Sequence, residues 1–158
     1  MGTGDSFTDR YDLQDVEYDK NGNIQSLLRK GHVNEDATSF GVMDDLNYTY
    51  DAGNKLLRVD DAGNTSFGFK QGSNSGDDYA YDANGNMISD ANKGITSVTY
   101  NHLNLPTEVT FNDSDTQKIN YTYSADGIKI RKVVNNNGAV TTLDYACLLY
   151  TSPSPRDA

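Results

Sequence analysis

The chain has 158 residues and a net charge of -10, with a pI near 4.4, a length that suits one modest domain. The charge argues against a nucleic-acid partner, which would need clustered Lys and Arg, and no stretch is long and apolar enough to span a bilayer. Twenty Asp and 17 Asn stand against three Glu, a composition that favours tight turns over helices.

The first residues, Met1-Gly2-Thr3-Gly4-Asp5, lack the basic and apolar regions of a signal peptide. Residues 1–10 read as a poorly ordered lead-in, and any export address is expected upstream. The first clear element is the phrase Tyr18-Asp19-Lys20-Asn21-Gly22-Asn23, followed by an apolar stretch from Ile24 to Leu28. Asp opens a turn by bonding amides just ahead of it. Asn-Gly tolerates positive φ at both positions, which predicts a type I′ hairpin turn.

The phrase returns in shortened form as Tyr50-Asp51-Ala52-Gly53-Asn54, led in by Tyr48-Thr49 and led out by Lys55 to Val59. A strand-like piece, Thr65 to Lys70, and a loop, Gln71 to Asp78, come next. The full phrase reappears as Tyr81-Asp82-Ala83-Asn84-Gly85-Asn86 after Tyr79-Ala80. Tyr100-Asn101-His102-Leu103-Asn104-Leu105-Pro106 heads a copy without the turn signature. A drifted copy, Tyr123-Ser124-Ala125-Asp126-Gly127-Ile128, follows Tyr121-Thr122 and leads out to Val134. Val98 and Tyr100 share one strand face, as do Thr107, Val109 and Phe111, and then Ile119, Tyr121 and Tyr123; a period of two marks half-buried strands. The fold expected is all-β, a run of consecutive antiparallel hairpins of about 20 residues with insertions. The repeat positions Tyr18, Asp19, Gly22, Tyr50, Asp51, Gly53, Tyr81, Asp82, Gly85, Tyr123 and Gly127 are structural in this reading.

The last twelve residues depart from this style. Cys147-Leu148-Leu149-Tyr150-Thr151-Ser152-Pro153-Ser154-Pro155-Arg156-Asp157 resembles the conceptual translation of a transposase-type sequencing adapter. Residues 147–158 are therefore read as an adapter-derived tail and set aside from fold reasoning, and residues 11–146 as the repeat region of a longer chain.

Few residues suggest chemistry. The Asp-x-Asn-Gly-Asn loops are oxygen-rich, but a calcium loop needs more ligands and a distal bidentate carboxylate. His32, in a polar loop, and His102 have no metal or triad pattern around them. The acid pairs Asp44-Asp45, Asp60-Asp61 and Asp77-Asp78 read as turn chemistry rather than a glycosidase pair. No cofactor, metal or catalytic residue is expected, and no enzyme. Exposed tyrosines over Asn/Asp-rich loops offer one alternative, a carbohydrate- or surface-binding repeat; the competing role is a tyrosine ladder that holds the sheet.

The Tyr-Asp-x-x-Gly phrases, with the leader Gly94-Ile95-Thr96-Ser97-Val98-Thr99-Tyr100-Asn101-His102-Leu103-Asn104-Leu105-Pro106, resemble the YD repeats of the RHS/YD-repeat family over roughly Tyr11 to Tyr145. The family's Gly-Arg after the turn is Gly-Asn here, which fits its Bacteroidota style. The resemblance implies a strip of a spiral β-shell in a large secreted or cell-surface protein. Its partners would be the remaining repeats and an enclosed C-terminal toxin. The family's self-cleaving core motif has no counterpart in these residues.

Overall fold

The computed structural model describes residues 10–72 and 76–145. Of the lead-in 1–10 all but Arg10, and the whole tail 147–158, lie outside the described residues. The protein is all-β, built from antiparallel hairpins: β1 (Leu13–Tyr18), β2 (Ile24–His32), β3 (Phe40–Tyr50), β4 (Leu56–Asp61), β5 (Tyr79–Tyr81), β6 (Met87–Asp90), β7 (Ile95–Tyr100), β8 (Pro106–Phe111), β9 (Gln117–Tyr123), β10 (Lys129–Asn136) and β11 (Ala139–Asp144). One 3₁₀ turn, Ala91–Lys93, follows β6 and closes on Gly94 at φ 64°. The chain divides between Thr96 and Ser97 into two compact units.

In the first unit the strands run in the order β1-β2-β3-β4. Leu27 faces Leu46 across β2–β3, and Tyr48 faces Val59 across β3–β4. Met43, Leu46 and Val59 form its buried apolar core, each contributing about 2 kcal/mol by burial. Met43 lies over Gly31, where any Cβ would collide with its Cε methyl. The piece Thr65 to Lys70 is not a strand. It is a run of turns folded back over the buried part of β3: Asn64 N–H donates to the Met43 carbonyl at 2.8 Å, and Ala62 N–H to that of Asp45 at 3.0 Å. A strand there would have to pair with β3, whose backbone these turns already satisfy.

Three aspartates, Asp44, Asp78 and Asp90, are each 1% exposed, and each caps backbone. Asp78 joins β4 to the β5–β6 hairpin. Its N–H donates to the Leu57 carbonyl at 2.7 Å, its carbonyl accepts from Ala91 N–H at 2.8 Å, and its carboxylate accepts from Val59 N–H at 2.8 Å. Asp44 accepts from Phe69 N–H at 2.6 Å and pairs with Arg29. Asp90 accepts from Lys93 N–H at 3.1 Å. The acid pairs are thus not plain turn chemistry: Asp44-Asp45 lies within β3, and Asp60-Asp61 ends β4. A buried carboxylate is tolerated where backbone donors and a cation replace its water.

In the second unit the order is β7-β8-β9-β10-β11. Val109 and Val134 both face Ile119, and Val98 is buried. The β10–β11 hairpin was not foreseen in the lead-out from Ile128. Asn136 faces Ala139 across a two-residue turn, Asn137-Gly138, with φ values of 53° and 92°. Positive φ at both residues is the type I′ condition. All six residues of β11 are exposed, and it ends the strand order.

Candidate functional site

Five loops of one geometry define the repeat. In the first, Asp19 N–H donates to the Asn23 carbonyl at 2.9 Å and Gly22 N–H to the Asp19 carbonyl at 3.2 Å. That is a β-turn with Lys20 and Asn21 at its centre and Gly22 after it, at φ 88°. Positive φ falls on the glycine and not on Asn21. The same holds at Asp82, where Gly85 has φ 86°. These are three-residue hairpin loops, a type I turn followed by a left-handed bulge residue, and not the type I′ turns expected from Asn-Gly.

The Asp51 copy is not shortened. Asp51 N–H donates to Lys55 at 2.9 Å and Asn54 N–H to Asp51 at 3.3 Å, the same ring sizes as in the first loop. Asn54, at φ 65°, takes the left-handed position, and Gly53 sits where Asn21 sits in the first loop. Nor has the Tyr100 copy lost its turn. Asn101 N–H donates to Leu105 and Asn104 N–H to Asn101, both at 3.0 Å, and Asn104 has φ 56°. In the fifth loop Ser124 bonds Ile128 at 2.9 Å and Gly127 bonds Ser124 at 3.1 Å, with Gly127 at φ 86°. The left-handed residue is thus Gly, Asn, Gly, Asn, Gly in turn, the two residue types that adopt this conformation at least cost.

The first loop residue caps its own loop. Asp19 Oδ1 accepts from the amides of Asn21 at 2.8 Å and Asn23 at 2.9 Å, while Oδ2 accepts from the Asn23 side chain at 2.8 Å. Asp82 repeats this with Asn84 and Asn86. Asp51 Oδ1 bonds the amides of Gly53 and Lys55, and Asn101 Oδ1 those of Leu103 and Leu105. The Asn23 side chain beside Asp19, and Asn86 beside Asp82, hold both carboxyls below the usual carboxylate range. Among the described residues no three His, Cys, Asp or Glu cluster as a metal site.

Successive loops touch within each unit. Asn21 and Asn23 both donate their side-chain amides to Asn54 Oδ1 at 2.8 Å. Lys55 Nζ lies 3.5 Å from the Asp82 carbonyl. A Cβ at Gly127 would rest 3.3 Å from Leu105.

The tyrosines complete the pattern. Tyr48 and Tyr50, Tyr79 and Tyr81, and Tyr121 and Tyr123 are half-buried, while Thr49, Ala80 and Thr122 between them are exposed; this is the face alternation expected. The Tyr50 hydroxyl donates to the Ile24 carbonyl, Tyr81 to Leu56 and Tyr123 to Pro106, each at 2.9 Å. Each acceptor is the first residue of the strand leaving the preceding loop. Each tyrosine therefore clamps its own loop to the loop before it. Burial pushes all three phenols above their ordinary pKa. Lys55 Nζ covers the Tyr81 ring at 5.5 Å from its centroid, and Lys129 covers Tyr121 at 4.3 Å. Tyr18, at the head of the first loop, is 60% exposed.

His32 ends β2 rather than lying in a loop, and its ring packs edge-on to Phe67 at 5.3 Å. His102 is exposed in the fourth loop. Open hollows occur among the described residues. One of about 330 Å³ is lined by Phe111, Ile119 and Val134 with Asn112, Gln117 and Asn135. Another, of about 340 Å³, is lined by Leu13, Leu27, Arg29, Asp44, Leu46 and Phe69. Neither brings together the repeat residues. Comparison with protein-family models gives no match, and comparison with curated proteins gives none. No described helix is long and apolar enough to cross a membrane.

Proposed function

We propose that this chain is a structural repeat segment of a large RHS-type protein, secreted or held at the cell surface. In this reading it is a strip of a spiral β-shell around a C-terminal toxin or effector, and it is not itself an enzyme. The observation that carries the reading is the clamp of Tyr50, Tyr81 and Tyr123 onto the preceding hairpins at 2.9 Å. Such a contact holds one hairpin to the next, as a wall of stacked repeats requires. The leading Asp or Asn of four loops is bonded to its own loop's amides, and Asn21 and Asn23 are bonded to Asn54 of the next loop. That supports walling over binding, because a sugar site needs unspent donors and acceptors beside its aromatic rings.

The test is the complete gene and its product. A self-cleaving core and a variable C-terminal domain downstream of the repeats, with residues 10–145 resistant to proteolysis in the whole protein, are expected. Further repeats ending in a surface anchor would overturn the shell and favour a carbohydrate-binding array. Glycan binding by the purified chain, lost on replacement of Tyr18 but with folding intact, would do the same.

A further inference from the structure

We infer that β11 is the first strand of one more hairpin of this same repeat, whose leading tyrosine, in continuation of β11, donates to the Lys129 carbonyl and whose outgoing strand pairs with the outer edge of β11. This rests on the repeat reading above and adds the register at which the next unit must enter. Lys129 begins β10 after the fifth loop, as Ile24, Leu56 and Pro106 begin the strands after theirs, and those three carbonyls each accept a tyrosine hydroxyl.

The strand pairing fixes the spacing. Ile24 lies two residues before Ser26, whose partner Asn47 lies three before Tyr50. Pro106 lies two before Glu108, whose partner Asn120 lies three before Tyr123. Lys129 lies two before Arg131, whose partner is Asp144. The same count calls for a tyrosine directly after Ala146. The residues before that point agree, since Tyr145-Ala146 repeats the lead-in Tyr79-Ala80 that precedes Tyr81. β11 already carries exposed apolar side chains, Val140 at 63% and Leu143 at 52%. It stands last in its strand order, with no further strand beside it among the described residues. An unpaired strand edge is a template for another strand, and the loop-to-loop contacts already seen select one of this repeat's own design.

The experiment replaces residues 147–158 of the full chain with Tyr-Asp-Ala-Asn-Gly-Asn-Met-Ile-Ser-Asp, the sequence of Tyr81–Asp90. One control inserts a single Gly after Ala146, which shifts the added tyrosine out of register. A second control has Phe for that tyrosine. Backbone amide exchange in residues 139–144 and the thermal midpoint are measured. In-register extension is expected to slow exchange in β11 by about tenfold or more and to raise the midpoint, with the shifted control doing neither and the Phe control recovering only part. Equal protection from the in-register and shifted extensions, or none from either, would overturn this placement of β11. Full protection by the Phe control would overturn the Lys129 clamp. None of these outcomes bears on what the parent gene encodes downstream, so failure here is distinct from failure of the shell reading.

Discussion

The hydroxyl of Tyr81 lies 2.9 Å from the carbonyl oxygen of Leu56, 25 residues earlier in the chain. The bond joins the head of one hairpin loop to the exit of the loop before it. A hydrogen bond of this kind contributes about 1 kcal/mol. Tyr81→Phe is therefore expected to lower stability by about that amount, and Tyr50→Phe and Tyr123→Phe likewise. Tyr→Ser at the same positions removes the ring as well and costs more. Urea titrations with unchanged m-values check this; Phe variants as stable as the parent would remove the clamp from the account.

The left-handed loop position separates glycines that look equivalent in sequence. Gly85→Val is expected to destabilise by about 2 kcal/mol, since a β-branched residue is strained at φ 86°. Gly53→Ala should be mild, because its φ is not positive and the new Cβ would meet Asp51 Oδ1 at an ordinary 3.4 Å. Asn54→Val should instead be costly. Chemical denaturation of the three variants tests the order, and a Gly53→Ala loss larger than that of Gly85→Val contradicts the loop assignment.

The acidic limit of stability follows from the loop carboxylates. Asp19 and Asp82 are held below the usual range by the Asn23 and Asn86 side chains. A depressed folded pKa gives stability that is present above the unfolded value, near 4, and is lost as pH falls through the folded one. Thermal midpoints should drop below about pH 4, and the Asp19→Asn, Asp82→Asn double variant should flatten that drop. The tyrosines act at the other end. Their raised pKa keeps their contribution intact below the unfolded value of about 10, and it is lost as pH climbs through the folded value.

Asp78→Ala removes the acceptor of the Val59 amide in a buried setting. An orphaned buried N–H costs about 1–3 kcal/mol, so a loss in that range is expected. Asp78→Asn should cost less, since its amide oxygen can still accept. Amide exchange at Val59 reports the site directly, and unchanged protection in Asp78→Ala would refute its role as the joint between β4 and the β5–β6 hairpin.

Added calcium should leave the protein unchanged, because the Asp19 and Asp82 oxygens already accept bonds from their own loops. A rise of several degrees in the thermal midpoint with millimolar calcium, abolished by Asp82→Ala, would show otherwise.

The strands and the inward tyrosines were legible in the sequence, because alternation at period two has a direct physical cause in the pleat. The loops were legible as loops but not as types. Asn-Gly suggests positive φ at both residues, yet Asn21 and Asn84 stay right-handed and the turn closes one residue later. Exchange of Gly-Asn for Asn-Gly at Gly53-Asn54 hid an intact copy, as did Asn101 standing in for Asp. The type I′ turn on an Asn-Gly pair, Asn137-Gly138, lay inside a polar run, Asn135-Asn136-Asn137, that masked the strand boundary, and a further turn with positive φ at both centres, Asn112-Asp113 at 54° and 52°, carries no Asn-Gly to signal it. The buried aspartates were not legible, because an Asp caps a surface turn and a buried backbone amide by the same bond. Only the tertiary packing around Asp44, Asp78 and Asp90 decides which.

Because the clamps of Tyr50, Tyr81 and Tyr123 each end on a main-chain oxygen, they place no demand on the acceptor's side chain, and a β-branched Ile24, an unbranched-Cβ Leu56 and a cyclic Pro106 serve alike. Correlated substitutions between a tyrosine and its acceptor should therefore be absent from any lineage of such chains. Where the clamp alone joins them, whole hairpins could be swapped, duplicated or recombined, and only side-chain contacts such as Asn21 and Asn23 with Asn54 would need to be matched. An array of hairpins joined in this way can lengthen by recombination with few compensating changes.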